Sequence, residues 1–538
     1  MRNIRLLDCT LRDGGFVNDW RFGRGDIINL FERSVSAGID YIETGFLDER
    51  EPFDPDRTMT PDSEAMDKIF AGLDHGNAKI FGMIDYGTCD LSRIKDAEES
   101  VLDGIRVMIK KNTRHEAIAF CKELKKKGYL VGAQPVSVTG YTDDEMIELV
   151  REINDLHPIA MYIVDTYGLL DRTKLLHIYD LIDSYLLPDI AIGYHAHNNF
   201  QQAFSNTVAL MEMESERDLV IDGSAYGIGK SAGNCPLELL TTWMNEHEYT
   251  HYHTSQVLEM IDTCIMKIYE KNPWGYQMQY FLCASNDCHP KYAQYLLKKK
   301  TLSVKSINEI LSMIKEEEAL AFNQEYIEKL YLEYQNNTIS DTADRERLAE
   351  AFNGKTVLVL GPGPSIGKER EKVTDFIASE APVTMAINFM PERFHLDYIF
   401  LSNAKRYMQM SSRLAKLSAE SGSRALKIVA TSNVTPARGS FDYNVDYAGL
   451  VDMNFEIPDN SLPMLLRLLA DTNVKEVVLA GFDGYIPESG RNYADSGMEY
   501  EFAADYAIKL NHYTGEVVRA LRDKGMKIRF LTSSKYEA

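Results

Sequence analysis

Basic residues are in short supply here. The 538-residue chain sets 58 Lys and Arg against 81 Asp and Glu, a formal charge of -23. That balance argues against a surface built to grip a phosphate backbone, which concentrates Lys and Arg. Long apolar runs are missing too. No stretch approaches the roughly 20 residues that a membrane helix needs, and Met1-Arg-Asn-Ile-Arg-Leu-Leu-Asp8 enters a strand without an apolar leader core. Seven cysteines, an odd and scattered set, are no disulfide framework. Together these absences predict a cytoplasmic protein with no nucleic-acid or membrane partner. There is also no internal repeat and no low-complexity segment.

What is present is a rhythm. Short apolar runs alternate with amphipathic stretches up to about residue 240. The predicted strands are Ile4–Asp8, Tyr41–Gly45, Lys79–Asp85, Gly104–Ile109, Tyr129–Pro135, Ile159–Asp165, Ile190–His195 and Leu219–Gly223. Helical segments such as Ile27–Ala37, Thr113–Lys127 and Asp143–Leu156 lie between them. Eight strand–helix units in this length predict a (β/α)8 TIM barrel over residues 1–245. A helical extension is expected over 246–349. A second α/β rhythm starting at Lys355-Thr-Val-Leu-Val-Leu-Gly361 predicts a Rossmann-like domain over 350–538.

Two motifs fall at predicted strand ends, the face where such barrels carry their chemistry. Asp13 follows the first strand beside Arg12, and His195 and His197 close the seventh. Imidazoles two residues apart on an extended segment share a side. With one carboxylate they make a His/His/Asp site for a divalent cation with positions left open. His251-Tyr-His253, with His247 nearby, has the same spacing but follows no strand, and reads as a solvated segment. Cys283, Cys288 and His289 are too few for a structural zinc site. Cys9 reads as a small core residue, and Gly227, Gly229 and Gly233 as glycines that let backbone approach a pocket closely.

Leu7-Asp-Cys-Thr-Leu-Arg-Asp-Gly-Gly15, Glu43-Thr-Gly45, Asp165-Thr-Tyr-Gly168, Gly193-Tyr-His-Ala-His-Asn198 and Gly227-Ile-Gly-Lys-Ser-Ala-Gly-Asn-Cys-Pro-Leu-Glu238 occur in that order. In this, about the first 290 residues resemble the DRE-TIM metallolyases typified by 3-hydroxy-3-methylglutaryl-CoA lyase, and most of all the 4-hydroxy-2-oxovalerate aldolases. The resemblance implies that Asp13, His195 and His197 bind the metal, with Asn234 as a further ligand or contact. It implies Mn2+, with Mg2+, Co2+ or Zn2+ as alternatives. Arg12 would hold an enolate oxygen, Thr166 would touch substrate, and Tyr276 would reach over the pocket. The substrates implied are a 2-oxo acid (pyruvate) and an aldehyde, and the assembly implied is a homo-oligomer.

The chain departs from the aldolases at one point. Phe16 stands where they place a histidine base. Glu43, Asp85 or a metal-bound water are the substitutes, and Glu43 is equally a partner for Arg12. A Claisen-type acyltransferase resembling isopropylmalate synthase is the second reading, although those enzymes show Gly-Glu-Gln after the Arg-Asp pair and this chain has Gly14-Gly-Phe16. A metal-binding sensor or scaffold without catalysis is the third.

In the second half, Leu360-Gly-Pro-Gly-Pro-Ser-Ile-Gly367 follows a strand and opens a helix, an arrangement that aims backbone N–H groups at an anion. Ile366 breaks the dinucleotide fingerprint, so NAD is not expected. With Leu396-Asp-Tyr-Ile-Phe-Leu-Ser402 and Leu479-Ala-Gly-Phe-Asp-Gly-Tyr485, this half resembles Rossmann-like domains of bacterial glycan-biosynthesis and pterin pyrophosphokinase-type proteins. The resemblance implies a nucleotide or phosphosugar site containing Gly363, Ser365 and Asp483, set against an inert docking domain.

Overall fold

Strands β1 (Ile4–Asp8), β2 (Tyr41–Leu47), β3 (Met59–Thr60), β4 (Lys79–Asp85), β5 (Gly104–Ile109), β6 (Leu130–Pro135), β7 (Ala160–Asp165), β8 (Ala191–Ala196) and β9 (Leu219–Gly223) make one parallel sheet in the computed structural model. The structure describes residues 2–247, 251–299, 302–335, 338–418, 425–437, 439–452, 455, 457, 459–487, 492–498 and 504–537. The sheet runs β1-β9-β8-β7-β6-β5-β4-β2, and β1 pairs with β2 to close it. These are the eight predicted strands, displaced by no more than two residues at either end. β3 is an unpredicted two-residue addition beside β2. Among the described residues, no helix is long and apolar enough to cross a membrane.

Closure follows from period two. Leu6, Ile42, Ile105, Val107, Ile163 and Ile221 pack outward in one large apolar cluster. Leu7, Tyr162, Val164 and Val220 form a separate buried cluster on the opposite face. Alternation therefore sends Glu43, Arg106 and Asp222 inward as well, each almost fully buried. The surrounding helices have local causes. Asp143–Leu156 starts on a capping box, Thr142 with Glu145, and buries Met146, Leu149, Val150, Ile153 and Leu156 at helical spacing.

The chain divides into two compact units, residues 1–293 with 315–322, and residues 294–314 with 323–538. The expected helical extension over 246–349 is not a unit of its own, because its residues are shared between these two. In the second unit β10 (Thr356–Leu360), β11 (Val383–Ile387), β12 (Tyr398–Leu401), β13 (Lys427–Thr431), β14 (Tyr443–Val445), β15 (Glu476–Ala480) and β16 (Ile528–Phe530) form an open parallel sheet. Its order is β14-β13-β12-β11-β10-β15-β16. Val357, Val359 and Val477 feed one apolar cluster and Leu358, Leu360 and Val478 another, so both faces are covered. Only three residues long, β14 left no alternating run to read in the sequence.

Candidate metal centre

The turn after β1 is built by Asp8. One of its carboxylate oxygens accepts from Thr10 N–H (2.8 Å) and the Thr10 hydroxyl, and the other from Ser34 Oγ (2.5 Å). Burial raises the Asp8 pKa, and those hydrogen bonds offset part of the rise. The resulting short helix, Thr10–Asp13, turns both Arg12 and Asp13 inward, 4% and 1% exposed. Trp20 Nε1 ties the turn down through the Arg12 carbonyl (2.7 Å).

His195 sits near the end of β8, and His197 lies just past it, bridged to Asn234 across an antiparallel pair. Nε2 of His195 is 4.0 Å from Asp13 Oδ1, and Nδ1 of His197 is 4.0 Å from Asp13 Oδ2. The three ligand atoms lie within 4.8 Å of one another. Nδ1 of His197 is buried without a hydrogen-bond partner, so the gap is not closed from within the protein. Burial pushes His197 down to about 3 against the pull of Asp13, which keeps its imidazole in the neutral, ligating form. Burial alone would raise Asp13; the Arg12 guanidinium, the two imidazoles and the Asn234 amide overturn that, and its carboxyl stays far below the usual range. The donor set fits a divalent cation.

Behind the triad runs a closed circuit of buried charge. Arg12 bonds Asp13 and, through Nε, Glu43 Oε2 (2.7 Å). Arg106 Nη1 reaches the same Glu43 oxygen (3.0 Å), and Arg106 Nη2 bonds Asp222. Asp222 Oδ2 then meets His195 Nδ1 (2.8 Å), which leaves Nε2 turned to the triad. Arg106 lies 4.3 Å from the Tyr162 ring centroid. Neither Arg106 nor Asp222 was singled out from the sequence. The signal was there, a charged residue inside an apolar strand run on the inward parity.

The other predicted residues fall as follows. Asn234 Nδ2 donates to Asp13 Oδ2 (2.8 Å) and to the Ile228 carbonyl (3.1 Å), so its amide orients a ligand. A Cβ on Gly229 would meet Asn234 at 2.3 Å and Asp13 at 2.5 Å, which is why glycine stands there. Glu43 is a clamp between two guanidiniums. Thr166 Oγ1 accepts from Ser137 N–H (2.7 Å) at the end of β7. Tyr276 is 57% exposed beside Phe281 and is not brought to the triad by any hydrogen bond. Asp85 is held by Lys110 (2.8 Å). Phe16 packs edge-on to Trp20. His251 and His253 are exposed, although Tyr252 between them is buried and bonds Asp40 (2.6 Å); residues 248–250 of that stretch lie outside the described residues. All seven cysteines are free and buried.

The glycine loop of the second unit is a different object. Ser365 donates through N–H and Oγ to the Asp483 carboxylate (2.9 and 2.7 Å), and Oγ also meets Thr532 (2.8 Å). A Cβ on Gly363 would strike Asp483 at 2.1 Å. Gly363, Ser365 and Asp483 do converge, but on one another. The carboxylate occupies the donors an incoming anion would need.

An Asp/His/His cluster able to hold a metal ion and a buried arginine thus meet at the strand ends of the barrel. The HMGL-like family model matches residues 3–264. That match makes residues 3–264 an HMGL-like domain, and members of that family are lyases and aldolases. Over 238 residues it is 24% identical to the oxaloacetate decarboxylase of Mycobacterium tuberculosis, covering 44% of this chain and 68% of that protein. Over 247 residues it is 26% identical to a 4-hydroxy-2-oxovalerate aldolase of Chloroflexus aurantiacus, covering 45% and 68%. A solved hydroxymethylglutaryl-CoA lyase from Pseudomonas aeruginosa aligns with a TM-score of 0.42 at 17% identity, covering 55% of this chain and 98% of the other.

Proposed function

We propose that the barrel makes or breaks a carbon–carbon bond of a 2-oxo acid through the enolate of pyruvate. The observation that carries this reading is the open Asp13, His195, His197 triad backed by a closed charge circuit. A divalent cation held there, Mn2+ first, would polarise the keto oxygen and neutralise charge growing on it. Arg12 is fixed by Glu43 and Asp13, and its Nη2, which has no acceptor among the described residues, is available to a developing oxyanion. Glu43, Arg106 and Asp222 position Arg12 and His195. Asn234 holds Asp13.

In the aldol direction of cleavage, the C3–C4 bond of a 4-hydroxy-2-oxo acid breaks and its electron pair becomes the enolate. The C4 hydroxyl loses its proton, C4 leaves as an aldehyde, and C3 is then protonated. Glu43 and Asp85 are both engaged by cations, so a water takes the hydroxyl proton and passes it to solvent. A second reading gains from that. Decarboxylation of a 2-oxo acid bearing a C4 carboxylate forms the same enolate as CO2 leaves, and needs no base. Phe16 in place of a histidine favours it, and one relative carries that activity in its name.

Exchange of the pyruvate methyl protons for deuterium, with EDTA as control, tests the shared enolate. No metal-dependent exchange, together with no metal-dependent CO2 release from a 2-oxo acid bearing a C4 carboxylate, would sink both readings and favour the scaffold; acetyl-CoA-dependent thiol release would favour the Claisen alternative. Cytoplasmic residence and self-association belong to this proposal.

For the second unit we propose that a nucleotide or phosphosugar binds in the crevice and not on the glycine loop. The sheet order reverses beside β10, and ligands of open parallel sheets bind at such a switch. A cavity of about 160 Å³ opens there, lined by Gly363, Asn388, Arg406, Ser461, Asp483 and Tyr506 among others. Titrating the full chain with CMP-, UDP- and GDP-sugars tests it; no binding across the three would leave the docking reading.

A further inference from the structure

The charges at the metal centre are consumed in pairs, with one exception. Arg12 faces Asp13 and Glu43, and Arg106 faces Glu43 and Asp222. Among the described residues Lys230 forms no ion pair, and Asp13 and Asp85 act on its ammonium only through space. Its backbone N–H donates to Asp13 Oδ2 (3.1 Å), which fixes the root of the side chain at the triad. From there Nζ reaches a slot between two aromatic faces, 5.7 Å from the Phe16 centroid and 5.4 Å from the Tyr167 centroid. Among the described residues it has no hydrogen-bond or ion-pair partner.

The slot is half-buried, and Arg12 and Lys291 bring positive charge to it against the pull of Asp13 and Asp85. His289 stands edge-on to Tyr167 (5.7 Å), and burial, reinforced by Lys230 and Lys291, pushes it down to about 4. Nδ1 of His289 accepts from Lys291 N–H (3.1 Å), so its Nε2 carries the proton and adds a donor. Two aromatic faces hold an ammonium in place yet offer its N–H groups no strong acceptor. An unpaired cation kept partly out of water costs free energy that an incoming anion returns. Phe16, which removes the base, also completes this slot.

Resting on the enolate reading above, we propose that Lys230 binds a second anionic group on the substrate. The substrate class is then a 2-oxo acid with a carboxylate or phosphate-type group on the fragment beyond C3, and not one with a neutral methyl end. The far anion docks on Lys230 between Phe16 and Tyr167 while the 2-oxo acid end lies at the triad.

The test uses the full chain loaded with Mn2+ and calorimetric binding of unreactive pairs. 2-Oxoglutarate is compared with 2-oxopentanoate, and 3-phosphonopyruvate with 2-oxobutyrate. The carboxylate or phosphonate member should bind at least about tenfold tighter, ~1.4 kcal/mol. Lys230→Met should erase that gap, and Lys230→Arg should keep most of it. Whichever pair shows the larger gap identifies the anion. Equal affinities in the unaltered protein, or a gap that survives Lys230→Met, would overturn the assignment. Deuterium exchange into pyruvate and CO2 release from a 2-oxo acid bearing a C4 carboxylate, on the same samples, separate the two ideas: either one without a gap removes the Lys230 site and spares the enolate, and a gap without either does the reverse.

Discussion

Set the carboxyl end of the barrel beside the carboxyl end of the open sheet. Both gather polar side chains from loops that follow parallel strands, and both were read from the sequence as anion or metal sites. In the open sheet Ser365, Asp483 and Thr532 satisfy one another, as do Asn388, Ser402 and Ser461. In the barrel, Glu43 Oε1, His197 Nδ1, Asp222 Oδ1 and Asn234 Oδ1 are buried without partners, and no such atom occurs in the second unit among the described residues. Buried polar atoms left unpaired are costly, so a protein retains them where something else completes the set. The contrast separates a cluster with unpaired buried atoms from side chains that satisfy one another.

The comparison can be broken most severely at Asp13. Asp13→Ala should abolish stoichiometric divalent-metal binding and all metal-dependent exchange, read by metal analysis after dialysis. A full metal complement in that variant contradicts the ligand set. Next is Asp222→Asn, which keeps shape but loses the charge that orients His195. Metal affinity should fall about 10–100-fold, with the melting temperature lowered as well because Arg106 loses a buried partner.

On the other side, Gly363→Ala places a methyl against Asp483 and the Gly481 carbonyl, at 2.1 and 2.6 Å. It should cost roughly 1–3 kcal/mol of stability and leave metal affinity alone. A loss of metal affinity there would mean that the two networks are coupled. The smallest effect is at His289. Its folded pKa, about 4, lies below the ordinary 6.5, so between those values the unfolded chain binds the extra proton and stability declines as pH falls. His289→Gln should flatten that decline in melting temperature between pH 6.5 and 4; an unchanged slope would place the imidazole in solvent.

Much of the barrel was legible because its outward apolar positions and its strand spacing are local patterns. Arg12-Asp13 and His195-x-His197 were legible because their parity and strand-end position are local too. Arg106 and Asp222 were harder, since an inward charge in a strand has meaning only once the opposite wall supplies its partner. Lys230 was passed over within a glycine-rich motif read for its backbone. Gly363, Ser365 and Asp483 were read together as a ligand site, and the structure shows the Asp483 carboxylate, 118 residues along the chain from Ser365, accepting from the loop itself.

The sequence by itself settled the alternation of strands and helices, the parity that turns particular side chains inward, and the residue types able to hold a cation. Those depend on backbone geometry and near neighbours. Closing the ring decided the rest: which buried charges cancel, which atoms remain unpaired, and which cation keeps its charge for a substrate. Such outcomes arise from distances across the barrel, and those exist only after distant strands meet.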